Sequence, residues 1–261
     1  MRYPVNFQRT PITMLFLAVM IALEAFFLLR PEMRDVFYID YIGVHAHVWM
    51  GDFWRPFTSC LMHGNLLHAL FNLWWFAVFS SVLEPYFGWK RYLVLLVLLA
   101  YVSMLPEFVV QSYLNIKVPM MVGISGVLYG QFGLLLVGRR YRQDFFEVCN
   151  HQVAPLLIAW FFICIFLTWS GLMGVANIAH GAGWFFGWLY GKAIFSHRKR
   201  VRWIVLAVVL SLIVLATLAV CPGSHWYELF RQRHELWWQP DAWKNSRLLN
   251  WLLSWLPSDY K

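Results

Sequence analysis

Val122-Gly123-Ile124-Ser125-Gly126-Val127-Leu128-Tyr129-Gly130-Gln131-Phe132-Gly133 opens an apolar run that ends at Arg139-Arg140. About twenty apolar residues are needed to cross a bilayer in helical form. This run supplies roughly sixteen, which reach only about 24 Å of a hydrocarbon layer about 30 Å thick. Its N-terminus is therefore expected below one membrane surface. Non-helical backbone at such a depth is tolerated only beside protein or a water-filled cavity. A helix start placed there presents free N–H groups and the positive end of the helix dipole. Ser125 sits at that start, where negative charge developing on a reacting oxygen would be stabilised.

The rest of the chain agrees with a membrane setting. Of 261 residues, 61% are hydrophobic and 13% charged, too little polar surface for a soluble domain of this length. Mean hydropathy is +0.56. Candidate spans are Ile12–Leu29, Leu61–Leu83, Tyr92–Val110, Val122–Val137, Val153–Ser170, Val175–Ile194 and Trp203–Val220. An irregular loop, Arg30–Ser59, is expected after the first span. The expected class is all-α, a polytopic membrane helix bundle. The expected divisions are a six-helix core over 1–200, a seventh transmembrane helix over 201–221, and a Trp-rich extracytoplasmic tail over 222–261.

The net charge of +8 comes from short basic clusters between apolar stretches, which act as topology signals rather than as a stripe for nucleic acid. With the N-terminus inside, the cytoplasmic segments hold Arg2, Arg9, Lys90, Arg91, Arg139, Arg140, Arg142, Lys192 and the Arg198–Arg202 cluster. The opposite side, outside the tail, holds Arg30, Arg34, Arg55 and Lys117. The positive-inside rule then sets the direction. The expected location is a bacterial plasma (inner) membrane, as a multi-pass protein with a cytoplasmic N-terminus. Cys60, Cys149, Cys164 and Cys221 form no CxxC pair, and no disulfide framework is visible. His45, His47 and His63 match no metal-ligand spacing, so no metal site is expected.

Polar groups inside lipid are expensive and mark function. His68 and Asn72 lie four apart on one face of the second span. His180 lies in the sixth span, within Ala179-His180-Gly181-Ala182-Gly183. Counting 1.5 Å per residue from the nearest charge, Ser125 stands roughly 21 Å, His68 roughly 24 Å, and Asn72 and His180 roughly 18 Å above the inner boundary. The four share one layer. Serine is a weak nucleophile without a base, and an imidazole near neutrality is suited to that task. His68, Asn72 and the Ser125 N–H form a donor set for a tetrahedral intermediate. Tyr129, four residues after Ser125, is placed to pack on His180. Glu24 and Glu107 show no obvious reach, so a Ser–His dyad is expected. Gly126, Gly130 and Gly133 in one span, and Gly183, Gly187 and Gly191 in another, let two helices approach closely.

Trp54-Arg55, His68-xxx-Asn72, Gly123-Ile124-Ser125-Gly126 and Ala179-His180-xx-Gly183, in this order, resemble the rhomboid intramembrane serine proteases. The resemblance covers roughly Arg30 to Ser196. It implies a six-helix core that cleaves transmembrane protein substrates near the outer membrane face, within the lipid bilayer and without cofactor, metal, nucleotide or nucleic acid. It implies Ser125 as nucleophile, His180 as base, and His68, Asn72 and the Ser125 N–H as the oxyanion site. Tyr129, Gly123, Gly126, Gly183, Trp54 and Arg55 take supporting places, the last two fixing the first loop at the interface. The fifth span and the stretch Gly171–Val175 would gate and cap the site. Ile124 stands where the family commonly has Ala. Two alternatives belong to other classes: a catalytically inactive rhomboid-like protein that binds membrane clients, and a transporter using His68, Asn72 and His180 as a polar relay. The transporter has no need of Ser125 between glycines, and no inverted repeat supports it.

Overall fold

The computed structural model describes residues 9–43, 48, 52–114 and 121–220. Seven apolar helices dominate them: α1 (Pro11–Leu29), α2 (Leu66–Phe87), α3 (Trp89–Leu114), α4 (Ser125–Gly138), α5 (Val153–Trp169), α6 (Asn177–Phe195) and α7 (Arg200–Val220). No strand occurs among the described residues. Pro11–Leu29, Leu66–Phe87, Trp89–Ser112 and Arg200–Leu218 are long and apolar enough to cross a membrane; Ser125–Gly138 and Val153–Trp169 are shorter apolar helices.

Local chemistry fixes the ends. Asn65 caps α2, its side chain accepting a hydrogen bond from the His68 N–H at 2.9 Å. That cap starts the helix five residues later than the expected Leu61, which lies instead in a short 3₁₀ turn, Ser59–Leu61. Gly88, with φ +74°, ends α2 in a conformation that L side chains rarely adopt and lets α3 begin at once. The expected irregular loop after α1 is partly helical. It holds short turns at Met33–Val36 and Arg55–Thr58 and a π-helical turn at Phe37–Ile42. Each is too short for apolar periodicity to betray it. Pro56, in the first turn of Arg55–Thr58, supplies the fixed φ that favours a helix start.

The N-terminus of α1 lies against another helix, and its orphan donors are met there. Glu84 of α2, fully buried, accepts from the backbone N–H of Ile12 and Thr13, each at 2.8 Å, and from the Thr13 hydroxyl. A negative group at a helix N-terminus also complements the dipole. Farther in, Gln131 of α4 donates to Tyr92 of α3 at 2.6 Å, and Tyr92 donates to Ser80 of α2. This buried chain ties three helices together where lipid offers no partners.

α4 is the centre. Twelve of its residues are buried, including Gly126, Tyr129, Gln131 and Gly133. The α4/α6 seam is built on glycine. A Cβ on Gly183 would collide with the Gly126 carbonyl, one on Gly187 with the Gly130 carbonyl, and one on Gly133 with the Trp184 carbonyl. The two expected ridges do face each other. Close backbone approach gives dispersion contact in a medium that supplies no hydrophobic drive between helices. The tail 221–261 and the loops holding His45, His47 and Lys117 lie outside the described residues.

Candidate functional site

Ser125 is the first residue of α4 and His180 lies in the first turn of α6. The glycine seam brings these helix starts together, and His180 Nε2 lies 2.7 Å from Ser125 Oγ. At that distance the imidazole can accept the serine proton when its own proton resides on Nδ1. His180 is 5% exposed, and its Nδ1 has no hydrogen-bond partner among the described residues. The Tyr129 ring lies 4.7 Å from the imidazole, centroid to centroid, with the planes 32° apart. Tyr129 in turn donates its hydroxyl to the Leu157 carbonyl of α5 at 3.2 Å. The ring thus limits the imidazole from one side while its hydroxyl ties α4 to α5.

His68 and Asn72 meet the backbone just before Ser125. A Cβ on Gly123 would sit 2.8 Å from His68 Cε1, 2.9 Å from His68 Nε2 and 3.3 Å from Asn72 Nδ2. Gly123 adopts φ +109°, so both conformation and space exclude a side chain there. Asn72 is 1% exposed and its Nδ2 is unpartnered among the described residues. A buried amide donor left free is costly unless a ligand takes the bond. The first-turn N–H groups of α4 add donors that no intrahelical carbonyl satisfies.

His68, Asn72, Ser125, Tyr129 and His180 all line one cavity of about 540 Å³. Its walls are otherwise largely apolar. Phe71, Trp75 and Phe79 come from α2, Leu128 and Phe132 from α4, Leu157, Trp160 and Cys164 from α5. Met173, Gly174 and Val175 close it from the α5–α6 loop. That loop is held down by Thr168, whose hydroxyl accepts from the Val175 N–H at 3.2 Å and from Asn177 Nδ2 at 2.8 Å. The space can take an extended apolar segment against a small group of convergent polar atoms.

Trp54 and Arg55 lie away from the cavity walls. Arg55 is 1% exposed, pairs with Asp52 at 2.7 Å and donates to the Gly43 carbonyl at 3.2 Å. It pins the first loop. Trp54 is 52% exposed. Tyr38, from the same loop, accepts a hydrogen bond from the Met121 N–H at 3.0 Å and so fixes the approach to Gly123. Burial pushes the Tyr38 phenol above its usual pKa.

Two carboxylates reach the site region where the sequence shows no route. Glu107 of α3, 5% exposed, accepts from the Ala179 N–H at 2.9 Å and caps the helix that carries His180. Glu24 of α1 accepts from the His63 N–H at 3.1 Å, in the turn that leads to His68. Neither pairing has a local signal, because the partners lie 72 and 39 residues apart. Asn65 had a signal: a helix-capping residue type directly before an apolar run.

The family model of the rhomboid domain matches residues 50–197, more than half of the chain. Rhomboid protease GlpG of Haemophilus influenzae is 32% identical over 142 residues, which cover 53% of this chain and 68% of that protein. The matched region spans α2 to α6 and contains every group that meets at the cavity. This chain, a multi-pass membrane protein built as a helical bundle, belongs to the rhomboid family.

Proposed function

We propose that the protein is an intramembrane serine endopeptidase that hydrolyses peptide bonds in or next to transmembrane segments near the outer membrane face. The observation that carries this reading is the 2.7 Å contact between Ser125 Oγ and His180 Nε2 at the wall of an apolar cavity. Similarity to a relative named as a rhomboid protease supports it.

In this reading Ser125 Oγ attacks the scissile carbonyl carbon as its proton passes to His180 Nε2. Negative charge moves to the carbonyl oxygen, which the Ser125 N–H, Asn72 Nδ2 and His68 stabilise. Asn72, buried and unpartnered, is the donor most in need of such an acceptor. The imidazolium then returns its proton to the departing amine, leaving an acyl group on Ser125. A water molecule, deprotonated by His180, hydrolyses that ester and restores both groups. The base works as a dyad with Ser125, since no carboxylate partner holds Nδ1 among the described residues. The apolar walls suit a substrate that arrives from lipid. The N-terminus of the chain then lies in the cytoplasm, and Gly171–Val175 caps the site.

Reconstitution in liposomes with a single-span substrate tests the reading. Ser125→Ala and His180→Ala are each expected to lower cleavage by about 10⁴-fold or more. A fluorophosphonate probe is expected to label the wild type at Ser125 and to lose that labelling in His180→Ala. Cleavage retained by Ser125→Ala rejects the nucleophile. A wild type that binds substrate without cleaving it or taking the probe favours the inactive client-binding alternative.

A further inference from the structure

Behind His68 lies a buried ionic cluster that the chemistry above does not use. Glu24 of α1 is 4% exposed, and its Oε2 pairs with Arg34 at 3.0 Å. Its Oε1 accepts from the His63 N–H at 3.1 Å and lies 3.6 Å from His63 Nδ1. Arg34 also donates to the His63 carbonyl and stacks its guanidinium over Phe27, 5.0 Å from the ring centroid. Both backbone polar groups of His63 are therefore held by one Glu–Arg pair. The His63 side chain is fully buried, and neither ring nitrogen has a hydrogen-bond partner among the described residues. Its ring meets that of His68 edge to face, with centroids 5.2 Å apart and planes at 84°.

His68 is clasped between two surfaces. One is the His63 ring. The other is the backbone at Gly123, which stands beside His68 Cε1 and Nε2. The Asn65 cap fixes the His68 backbone but leaves the ring torsions free. The Gly123 backbone leads into Ser125 two residues later, so the wall that can set the ring angle from the other side is His63. A buried charge of Glu24's kind persists only when it is paired, and here it is paired to the turn that supports His68. Supporting partners that fix a functional imidazole are commonly carboxylates acting one residue away.

We propose that Glu24, clamped by Arg34, is a positioning residue that acts through His63 to hold His68 at the angle needed to donate to the oxyanion. This rests on the assignment of His68 to the oxyanion site. Glu24 touches neither substrate nor reacting atoms. Its removal leaves the Ser125–His180 contact in place and loosens only the donor that works in the transition state. The consequence is a kinetic signature: kcat falls and KM stays, because ground-state binding does not use that donor.

The experiment is a double-mutant cycle on the full chain in liposomes, with kcat and KM measured for a single-span substrate. Glu24→Gln keeps an acceptor for the His63 N–H but breaks the ion pair; Glu24→Asp is the conservative rescue. Glu24→Gln is expected to lower kcat about tenfold with KM within about twofold, and Glu24→Asp to recover part of the loss. In a His68→Ala background the same Glu24→Gln change is expected to have no further effect on kcat. An equal loss in both backgrounds, or a loss carried by KM, overturns the proposal while the peptidase reading stands. A wild type without cleavage overturns the peptidase reading itself. Where Glu24→Gln does not assemble, His63→Phe in the same two backgrounds carries the cycle, with the same outcomes on each side.

Discussion

The two walls of the cavity are built on opposite plans. On one side α4 and α6 meet backbone to backbone, with Gly183 against the Gly126 carbonyl and Gly187 against that of Gly130. On the other side α5 buries only Ala154, Leu157 and Cys164 and turns Leu156, Phe162, Phe166 and Trp169 outward. The first wall carries Ser125 and His180. The second carries large apolar rings, such as Trp160, whose centroid lies 5.5 Å from that of Phe71 on α2. Tight glycine packing leaves a helix pair one arrangement; side chains meeting across a cavity leave several. The contrast separates two demands of the proposed chemistry. A proton must move over a fixed distance, and a bulky segment must enter from lipid.

The sharpest way to break the contrast is to spoil the tight wall. Gly187→Val puts a branched side chain against the Gly130 carbonyl and forces α4 and α6 apart. Cleavage is expected to fall at least about 100-fold, since about 1 Å of misplacement suffices for that. Overpacking is also expected to lower stability by about 1–3 kcal/mol, read from melting in detergent. A variant with wild-type rate and melting would show that the seam does not set the Ser125–His180 distance.

Glu107 tests the same wall more gently. Glu107→Ala removes the cap on α6 and is expected to cost about 1 kcal/mol of stability and a several-fold loss of rate. Glu107→Gln keeps an acceptor for the Ala179 N–H and is expected to lose less of both. If the two variants behave alike in melting and rate, the cap is not what the carboxylate supplies.

Tyr129→Phe addresses the link between the walls. It keeps a ring on His180 and removes the hydroxyl that holds the Leu157 carbonyl. A destabilisation of about 1 kcal/mol is expected, with the chemical step largely unchanged in a single-turnover measurement. A large loss of single-turnover rate would mean that the hydroxyl itself acts on the imidazole. The smallest structural effect belongs to the loose wall. Trp160→Ala removes a partly exposed ring and is expected to leave probe labelling of Ser125 within about twofold, because the change creates no enclosed void of the kind that makes core truncations costly. Slower labelling by more than that would tie α5 to the nucleophile more closely than its packing indicates.

How much of this was visible in the sequence follows the same divide. Ser125, His68, Asn72 and His180 stand out because each is costly in lipid and each shares one depth with the others. The facing ridges were legible because glycine every fourth residue has one structural consequence, close approach. Glu24 and Glu107 were visible as charges, but their partners were not. A backbone N–H donated to a carboxylate across 39 or 72 residues leaves no periodicity to read. The short turns at Met33–Val36 and Phe37–Ile42 were missed for a related reason: a helix of four to six residues shows no repeating face. Helix ends shifted where one residue overrode apolar content, as Asn65 did at α2.

The burial of α4 has a bearing on biogenesis. This helix leaves little surface for lipid, so it cannot settle until α6 is present to pair with it. On the proposed reading, Ser125 waits for His180 to be synthesised 55 residues later and threaded into the bilayer. Until then the hydroxyl has no proton acceptor and the donors around it have no common focus. A nascent chain is thus harmless to its neighbours in the membrane, and competence arrives in a single late step of assembly.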